Sequence, residues 1–350
     1  MKKSALLYVS DLPRVSELGE ELLLIYDEVL PKKSAAFKKW MQQFDLHYPV
    51  KAGEQLKSVD KFPGHIARLV KLCEQTSSRH LTVVVAGGGS VGDFGGFVAS
   101  VLKRGVNLVQ MPSTWLAAID SAHGGKTALN VGSAKNQIGT FYPASKIVLS
   151  RALLMAQPEA RAFEGFGELL KIALISGGPL WSSLAKEFEV NASILWKHLA
   201  KAIDAKNRVV SKDPEEKSGH RHILNLGHTM GHVLEVYYQL PHGIAINYGL
   251  DFALRWSLHK RIMTQAEYQK FHRLPLAGYL LSPLRDELMG TRSAVLKDFR
   301  QLLLSDKKKT ASETLRFIFL KKPGHCLVRE VTVDEVLIEV CRQKEEELNG

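Results

Sequence analysis

The stretch Val83–Phe97, VVVAGGGSVGDFGGF, constrains the chain more than any other part. An apolar, β-branched run breaks into three consecutive glycines and reopens as a helix start, so it reads as strand, tight turn and helix. A run apolar at successive positions is a strand buried on both faces, and such strands belong to parallel sheets covered by helices. The flanking sequence agrees. Short apolar runs at Ala5–Val9, Leu22–Tyr26, Leu81–Ala86, Asn107–Gln110 and Ile147–Ser150 alternate with amphipathic stretches such as Ser34–Phe44 and His65–Gln75. This alternation predicts an N-terminal, Rossmann-like α/β domain over residues 1–157. From Pro158 onward helical periodicity takes over, at Trp181–Phe188, Ile194–Ser211, Leu224–Gln239, Ile244–His259, Gln265–His272 and Ser293–Leu304. A short strand, Leu315–Leu320, and a helix, Val333–Leu348, follow. The expected fold class is α/β plus α, with a mainly helical second domain over residues 158–350.

Glycines 87 to 89 let backbone approach a phosphate closely, and the helix start behind them offers free N–H groups. The spacing is not the G-x-G-x-x-G of dinucleotide turns, and a purely structural turn would read the same. Asp93, in the first helical turn, either complements the helix dipole or positions a cofactor. Glu54 and Lys57 in AGEQLK form an ordinary surface pair or a clamp on a ribose diol. Asp27 ends the second strand, where nucleotide-binding sheets often hold a ribose acid. The polar stretch from Pro112 to Asn130, with AKNQIGTF after it, carries Asp120, Lys126, Lys135 and Asn136 among small residues. Lysines there suit anionic oxygens, though a polar surface loop reads the same way.

In the helical half, EGFGELLK puts Lys171 three residues beyond Glu168, on the same helix face. His228 and His232 share a face at i, i+4 in NLGHTMGH, and His242 follows a proline. Two histidines and a glutamate form a frequent catalytic zinc set with an open fourth position. With 13 histidines in the chain, chance could supply such a set. Lys206, Arg221 and Asn225 add a second polar cluster, in which Arg221 suits an oxyacid.

A net charge of +11 raises nucleic acid as a partner, but the cations come as scattered pairs without interleaved aromatics. A solvated surface, with a few cations reserved for an anionic small molecule, explains it better. The 3 cysteines form neither a disulfide framework nor a zinc-binding pattern, which points to a reducing compartment. The opening MKKSALLYVS is too short in apolar residues for a secretory leader, and no run is long enough to span a membrane. A cytoplasmic protein is expected.

In order, GEQLK, GGGSVGDFGGF, DSAHGGKT, KNQIGTF, Glu168 with Lys171, NLGHTMGH, His242-Gly243 and Asp306-Lys307-Lys308 resemble the 3-dehydroquinate synthase family of sugar phosphate cyclases. The resemblance runs from about Asp27 to Lys308. It implies an NAD-binding α/β half, a helical metal-binding half, catalytic NAD, a divalent metal (zinc, or another such as cobalt) and a homodimer. Glu168, His228 and His242 would be the metal ligands. Asp27, Glu54, Lys57, the turn Gly89, Ser90, Val91, Gly92 and Asp93, and Ser113, Thr114, Lys126 and Lys135 would line the NAD site. Asp120, Lys126, Asn136, Lys171, Lys206, Arg221, Asn225, His232 and one of Lys307 or Lys308 would surround a sugar phosphate acid. Arg104 matches an arginine that reaches the neighbouring subunit's substrate.

The chain departs from the family pattern in places. Ile244 replaces a glutamate, His123 and Trp115 replace smaller residues, and Leu153–Ala156 lacks a threonine that approaches the nicotinamide. Lys217 stands where an acid precedes Arg221, beside an extra residue near Pro214. A cyclase of secondary metabolism, a metal-dependent polyol dehydrogenase of the same fold and a non-catalytic binding protein are the alternatives. The first would change the block Arg221, Asn225, His232, and the second has no reason to keep Lys126, Lys135, Asn136 and Arg221 together.

Overall fold

The computed structural model describes residues 4–74, 76, 80–132, 134–280, 293–305 and 313–349. The chain divides into two compact units, 1–162 and 163–350. The first unit is built on strands β1 (Ala5–Val9), β2 (Glu21–Asp27), β3 (Leu46–Val50), β4 (Leu81–Gly87), β5 (Asn107–Pro112) and β8 (Lys146–Ser150). They form one sheet in the order β1-β8-β5-β4-β2-β3, with every pairing parallel. β4 is buried along its whole length, as its continuous apolar run requires. Helices α1 (Leu30–Lys33), α2 (Ala35–Met41), α3 (Phe62–Leu72) and α4 (Gly89–Val101) lie in the connections between strands, and α5 (Arg151–Met155) follows β8. One face of the sheet, through Leu24, Val84, Val109 and Val148, packs with Phe37, Trp40 and Phe44. Fully burying a side chain such as Phe37 contributes about 2 kcal/mol. The Trp40 indole N–H, taken into this core, donates to the carbonyl of Pro13 at 2.7 Å.

Three strands differ from the sequence reading. β3, LHYPV, is an edge strand, so it tolerates a proline and lacks the apolar run that marked its neighbours. The polar stretch, in which no strand is expected, forms an antiparallel pair, β6 (Lys126–Val131) with β7 (Ala134–Phe141). Gly139 makes that approach possible, because a Cβ there would lie 2.2 Å from the Thr127 carbonyl oxygen.

The second unit is led by α6 (Glu159–Ser176), whose first turn belongs to unit 1, and continues through α7 (Gly178–Leu184), α8 (Ala192–Lys212), α9 (His228–Tyr237) and α10 (His242–His259). Helices α11 (Gln265–His272), α12 (Ala277–Leu280), α13 (Ser293–Ser305) and α14 (Val333–Asn349) complete it with the ribbon β9 (Thr314–Lys322) and β10 (His325–Thr332). Trp256 of α10 packs on Phe317 and Phe319 of β9, with centroids 4.5 and 5.2 Å away. Ser257 Oγ accepts from the Leu320 N–H at 3.0 Å, fastening the ribbon to α10. The helix expected from Leu224 is broken: a 3-10 turn, His220–Asn225, precedes α9. Gly227, at φ 78, caps α9 in the left-handed region, so the helix proper begins at His228.

Glycines let three helices of this unit touch by their backbones. A Cβ on Gly167 of α6 would lie 2.2 Å from the Gly243 carbonyl oxygen, and one on Gly243 would lie 1.8 Å from that of Glu164. A Cβ on Gly249 of α10 would lie 1.9 Å from the carbonyl oxygen of Gly227. Because the obstacle at Gly243 is backbone, Gly243→Ala is expected to destabilise the protein by about 2–3 kcal/mol. Gly64→Ala in α3, where a Cβ meets nothing within 4 Å, should instead stabilise by about 0.5–1 kcal/mol. Urea unfolding of the two variants checks this; equal midpoints would refute the close crossing.

Candidate functional site

Those crossings bring three distant side chains together. Glu168 follows Gly167 in mid-α6, His242 precedes Gly243 as the first residue of α10, and His228 follows Gly227 as the first residue of α9. Glu168 Oε1 lies 3.4 Å from His228 Nε2 and 3.4 Å from His242 Nε2. Lys171 Nζ pairs with the other oxygen, Oε2, at 2.5 Å, and both side chains of this pair are buried. His228 Nδ1 sits 3.3 Å from the Leu226 carbonyl oxygen, which holds the proton there and turns the Nε2 lone pair toward Glu168.

The donor set fits a divalent cation on geometry as well as chemistry. Tetrahedral zinc with bonds of about 2.0–2.1 Å keeps its ligand atoms about 3.3 Å apart, close to the two 3.4 Å separations. Burial, then Lys171, pulls His228 well below the ordinary imidazole value, into the neutral form a metal requires. Burial also pulls His242 down, but hydrogen bonds to Glu168 and Glu235 outweigh it and put it at about 10. The carboxylates there call for positive charge. His232 stands beside both rings, its centroid 5.1 Å from that of His228 and 6.0 Å from that of His242.

In the first unit the glycine turn occupies the point where the sheet reverses direction. β4 leads on to β5 on one side, β2 leads to β3 on the other, and the crevice above their C-terminal ends is where such sheets bind ligands. Asp27 ends β2 beside the turn, pushed up by burial although it accepts from the Val29 N–H. No side chain caps α4, so the N–H groups of Gly89, Ser90 and Val91 face outward from a helix start. A Cβ on Gly88 would lie 3.1 Å from Thr114, and one on Gly89 would lie 3.3 Å from Ser121. This narrow, donor-rich cradle fits a pyrophosphate. The Ser113 N–H donates to the Gly87 carbonyl, closing the turn, while the Ser90 hydroxyl accepts from the Gly53 N–H.

Beside the turn runs a network that joins residues assigned separately from sequence. Lys57 Nζ donates to Asp93 Oδ2 at 2.7 Å and to Asn136 Oδ1 at 2.5 Å. Asn136, held at φ 56, donates its backbone N–H to Asn130 Oδ1, and Asn130 Nδ2 donates to Glu54 Oε2. In place of the surface Glu54–Lys57 pair, one of the two readings from spacing, stand three longer-range contacts, from Lys57 to Asp93 and Asn136 and from Asn130 to Glu54. Asp93 is pushed up by burial, against the Lys57 ammonium. Asp120 lies in the turn Ala117–Ser121, while Lys126 and Lys135 stand exposed on β6 and β7.

Lys206 of α8 and Arg221 of the 3-10 turn are each 4% exposed, and Asn225 is exposed. Asp213 organises the approach to Arg221. Burial pushes its carboxyl up, but hydrogen bonds from the Ser218 and Arg221 N–H groups outweigh that and hold it at about 2. The Arg221 guanidinium donates onward to the Pro214 carbonyl. The extra residue near Pro214 lies in a loop that turns through positive φ at Glu216 and Gly219. Lys217 points to solvent and pairs with Glu215. Trp115 and His123 fill the interior, the latter bonded to the Ala118 carbonyl, and Ile244 is half-buried. Arg104 is exposed at φ 69, after Lys103 at φ 48, a backbone run costly for side chains with a Cβ. Lys307 and Lys308 lie outside the described residues.

The sequence reading passed over Asn130, Asp213 and Glu235. Strand periodicity puts Asn130 on the face of Lys126, and helix periodicity puts Glu235 on the stripe of His228 and His232. Asp213 carried no such signal.

Residues 47–164 match the model of the 3-dehydroquinate synthase N-terminal domain, and residues 165–309 that of the C-terminal domain. A 3-dehydroquinate synthase of Legionella pneumophila (strain Corby) is 33% identical over 273 residues, 76% of this chain and 72% of the relative. One of Leptospira interrogans (serovar copenhageni) is 33% identical over 304 residues, 84% of this chain and 80% of the relative. Among solved structures, a 2-deoxy-scyllo-inosose synthase complexed with carbaglucose-6-phosphate, NAD+ and Co2+ superposes with a TM-score of 0.78 at 22% identity, covering 96% of this chain and 95% of that one.

The Lys57 network generates a stability test. Lys57→Met leaves the half-buried Asp93 without its cation, at a cost of about 1–3 kcal/mol, and Lys57→Met/Asp93→Asn should recover part of it. Asp93 already titrates above the ordinary carboxylate value. Its unfolded form therefore loses its proton first, and the penalty in Lys57→Met should grow as pH rises from the unfolded value through the folded one. Urea unfolding at pH 5 and 8 reads this; a loss independent of pH would contradict the pairing.

Proposed function

This chain belongs to the 3-dehydroquinate synthase family, and we propose that it converts 3-deoxy-arabino-heptulosonate 7-phosphate to 3-dehydroquinate and phosphate, in the shikimate route to aromatic amino acids. The observation that carries the reading is the convergence of Glu168, His228 and His242, whose ligand atoms lie within 4.8 Å of one another. Two imidazoles and a carboxylate suit zinc, with cobalt as a substitute. NAD would lie at the start of α4, with Asp27, Glu54, Lys57, Ser113, Thr114 and Lys135 around it. When bound, the metal polarises a substrate hydroxyl and NAD takes and returns a hydride.

The chain's own side chains do the rest. Lys171 binds Glu168 Oε2 and turns the carboxylate so that Oε1 faces the imidazoles. The substrate carries a carboxylate and a phosphate, and buried cations bind such groups more strongly than exposed ones because little water competes. Arg221, its backbone fixed by Asp213, offers two parallel N–H groups to the carboxylate, and Lys206 adds charge. His232 donates to the phosphate end. Asp120, Lys126 and Asn136 are assigned to the substrate, and Arg104 to a neighbouring copy's substrate, which makes a homodimer the working assembly. These roles rest on the family motifs. Among the described residues no helix is long and apolar enough to cross a membrane.

Protein supplied with NAD+ and Zn2+ should release phosphate from the heptulosonate phosphate. Release from glucose 6-phosphate or sedoheptulose 7-phosphate alone would move the assignment to another cyclase, and NAD-linked oxidation of glycerol to a dehydrogenase. Arg221→Ala should lower kcat/KM at least about tenfold, the loss of a charge-assisted hydrogen bond, with NAD+ affinity unchanged. Lost NAD+ binding would take Arg221 out of the substrate's surroundings.

A further inference from the structure

The ring of His242 is held from both sides. Its Nε2 stands 3.4 Å from Glu168 Oε1, and its Nδ1 stands 2.7 Å from Glu235 Oε2. These two separations mean different things. The longer one matches two ligands sharing one tetrahedral ion, whose edge is about 3.3 Å. The shorter one is a hydrogen bond, well inside that tetrahedral edge. Glu235 reaches this ring because it lies seven residues beyond His228 on the same stripe of α9, which packs against α10 where His242 begins.

We propose that Glu235 is the positioning residue of the metal centre, accepting the Nδ1 proton of His242 and thereby fixing the plane and tautomer of that ligand. A neutral imidazole has one N–H and one lone pair. With the proton committed to Glu235, the lone pair stands on Nε2, facing Glu168. His228 shows the same arrangement in weaker form, its Nδ1 facing the Leu226 carbonyl oxygen at 3.3 Å. A carboxylate partner polarises the ring more than a carbonyl does, which makes His242 the more basic of the two nitrogen donors. Glu235 also forms a second three-donor group with His232 and His242. That group needs the same ring, and two ions could share it only by stripping both of its nitrogens of protons. The proposal rests on Glu168, His228 and His242 being the metal ligands.

The test is metal titration of the full chain, wild type, Glu235→Leu and Glu235→Gln, stripped and then given Zn2+ or Co2+ against a chromophoric chelator. Wild type should take one ion per chain. Glu235→Leu should take one ion roughly 10–100-fold more weakly, with a shifted visible Co2+ spectrum. Its metal-free circular dichroism and NAD+ affinity should stay those of wild type. Glu235→Gln, whose amide oxygen still accepts the Nδ1 proton, should recover part of the loss. Unchanged affinity and spectrum in Glu235→Leu would overturn the proposal. So would two ions per wild-type chain with one lost in Glu235→Leu, which would make Glu235 a ligand. A wild type that takes no ion removes the ligand set itself, a different result from either.

Discussion

The helical unit depends on the contact of backbone with backbone where α6 meets the start of α10. Without a Cβ at Gly167 or Gly243, the two chains approach to a separation that no other residue pair permits. The consequence is geometric. The next residue after one glycine is Glu168 and the one before the other is His242, so the crossing itself sets their distance. Gly227, against Gly249, does the same for His228. The main chain thus fixes where each donor residue stands, and side chains such as Lys171 and Glu235 need only orient the donor atoms, which is the rigidity a preorganised site requires.

What is read from sequence and what is not divides along the range of the interactions. Strands β2, β4 and β8 announce themselves because burial on both faces demands continuous apolar runs, and β5 does so despite Gln110. The β6–β7 pair does not, since one of its strands is almost wholly exposed and its polar residues resemble a loop. The start of α9 moved by four residues relative to expectation because a tertiary contact at Gly227 decides it, and such contacts leave no local trace. The ligand residues were legible as types within ordered motifs. Of their supporting partners, Asn130 and Glu235 share a face with site residues but take their roles from hydrogen bonds whose other ends lie elsewhere in the chain, and Asp213 has no local signal at all.

The positive charge of the chain also takes on meaning only with burial in view. Lysine and arginine are seldom fully buried, yet Lys57, Lys171, Lys206 and Arg221 are each 4% exposed or less. Two of them neutralise carboxylates, Lys57 with Asp93 and Lys171 with Glu168. Such pairs seldom improve stability over apolar packing, so their presence speaks for function rather than for the fold. Net charge alone, spread over the sequence, conveyed none of this.

The sheet order has a consequence for how the first unit is made. Ala5 pairs with Lys146, so β1 leaves the ribosome roughly 140 residues before its partner, about 7–28 s at ordinary synthesis rates. Meanwhile β2, β4 and β5 are already complete and able to pair with one another. Assembly therefore runs from the middle of the sheet outward. The strand synthesised first is the last to dock, and a nascent chain must keep it from other edges until β8 arrives.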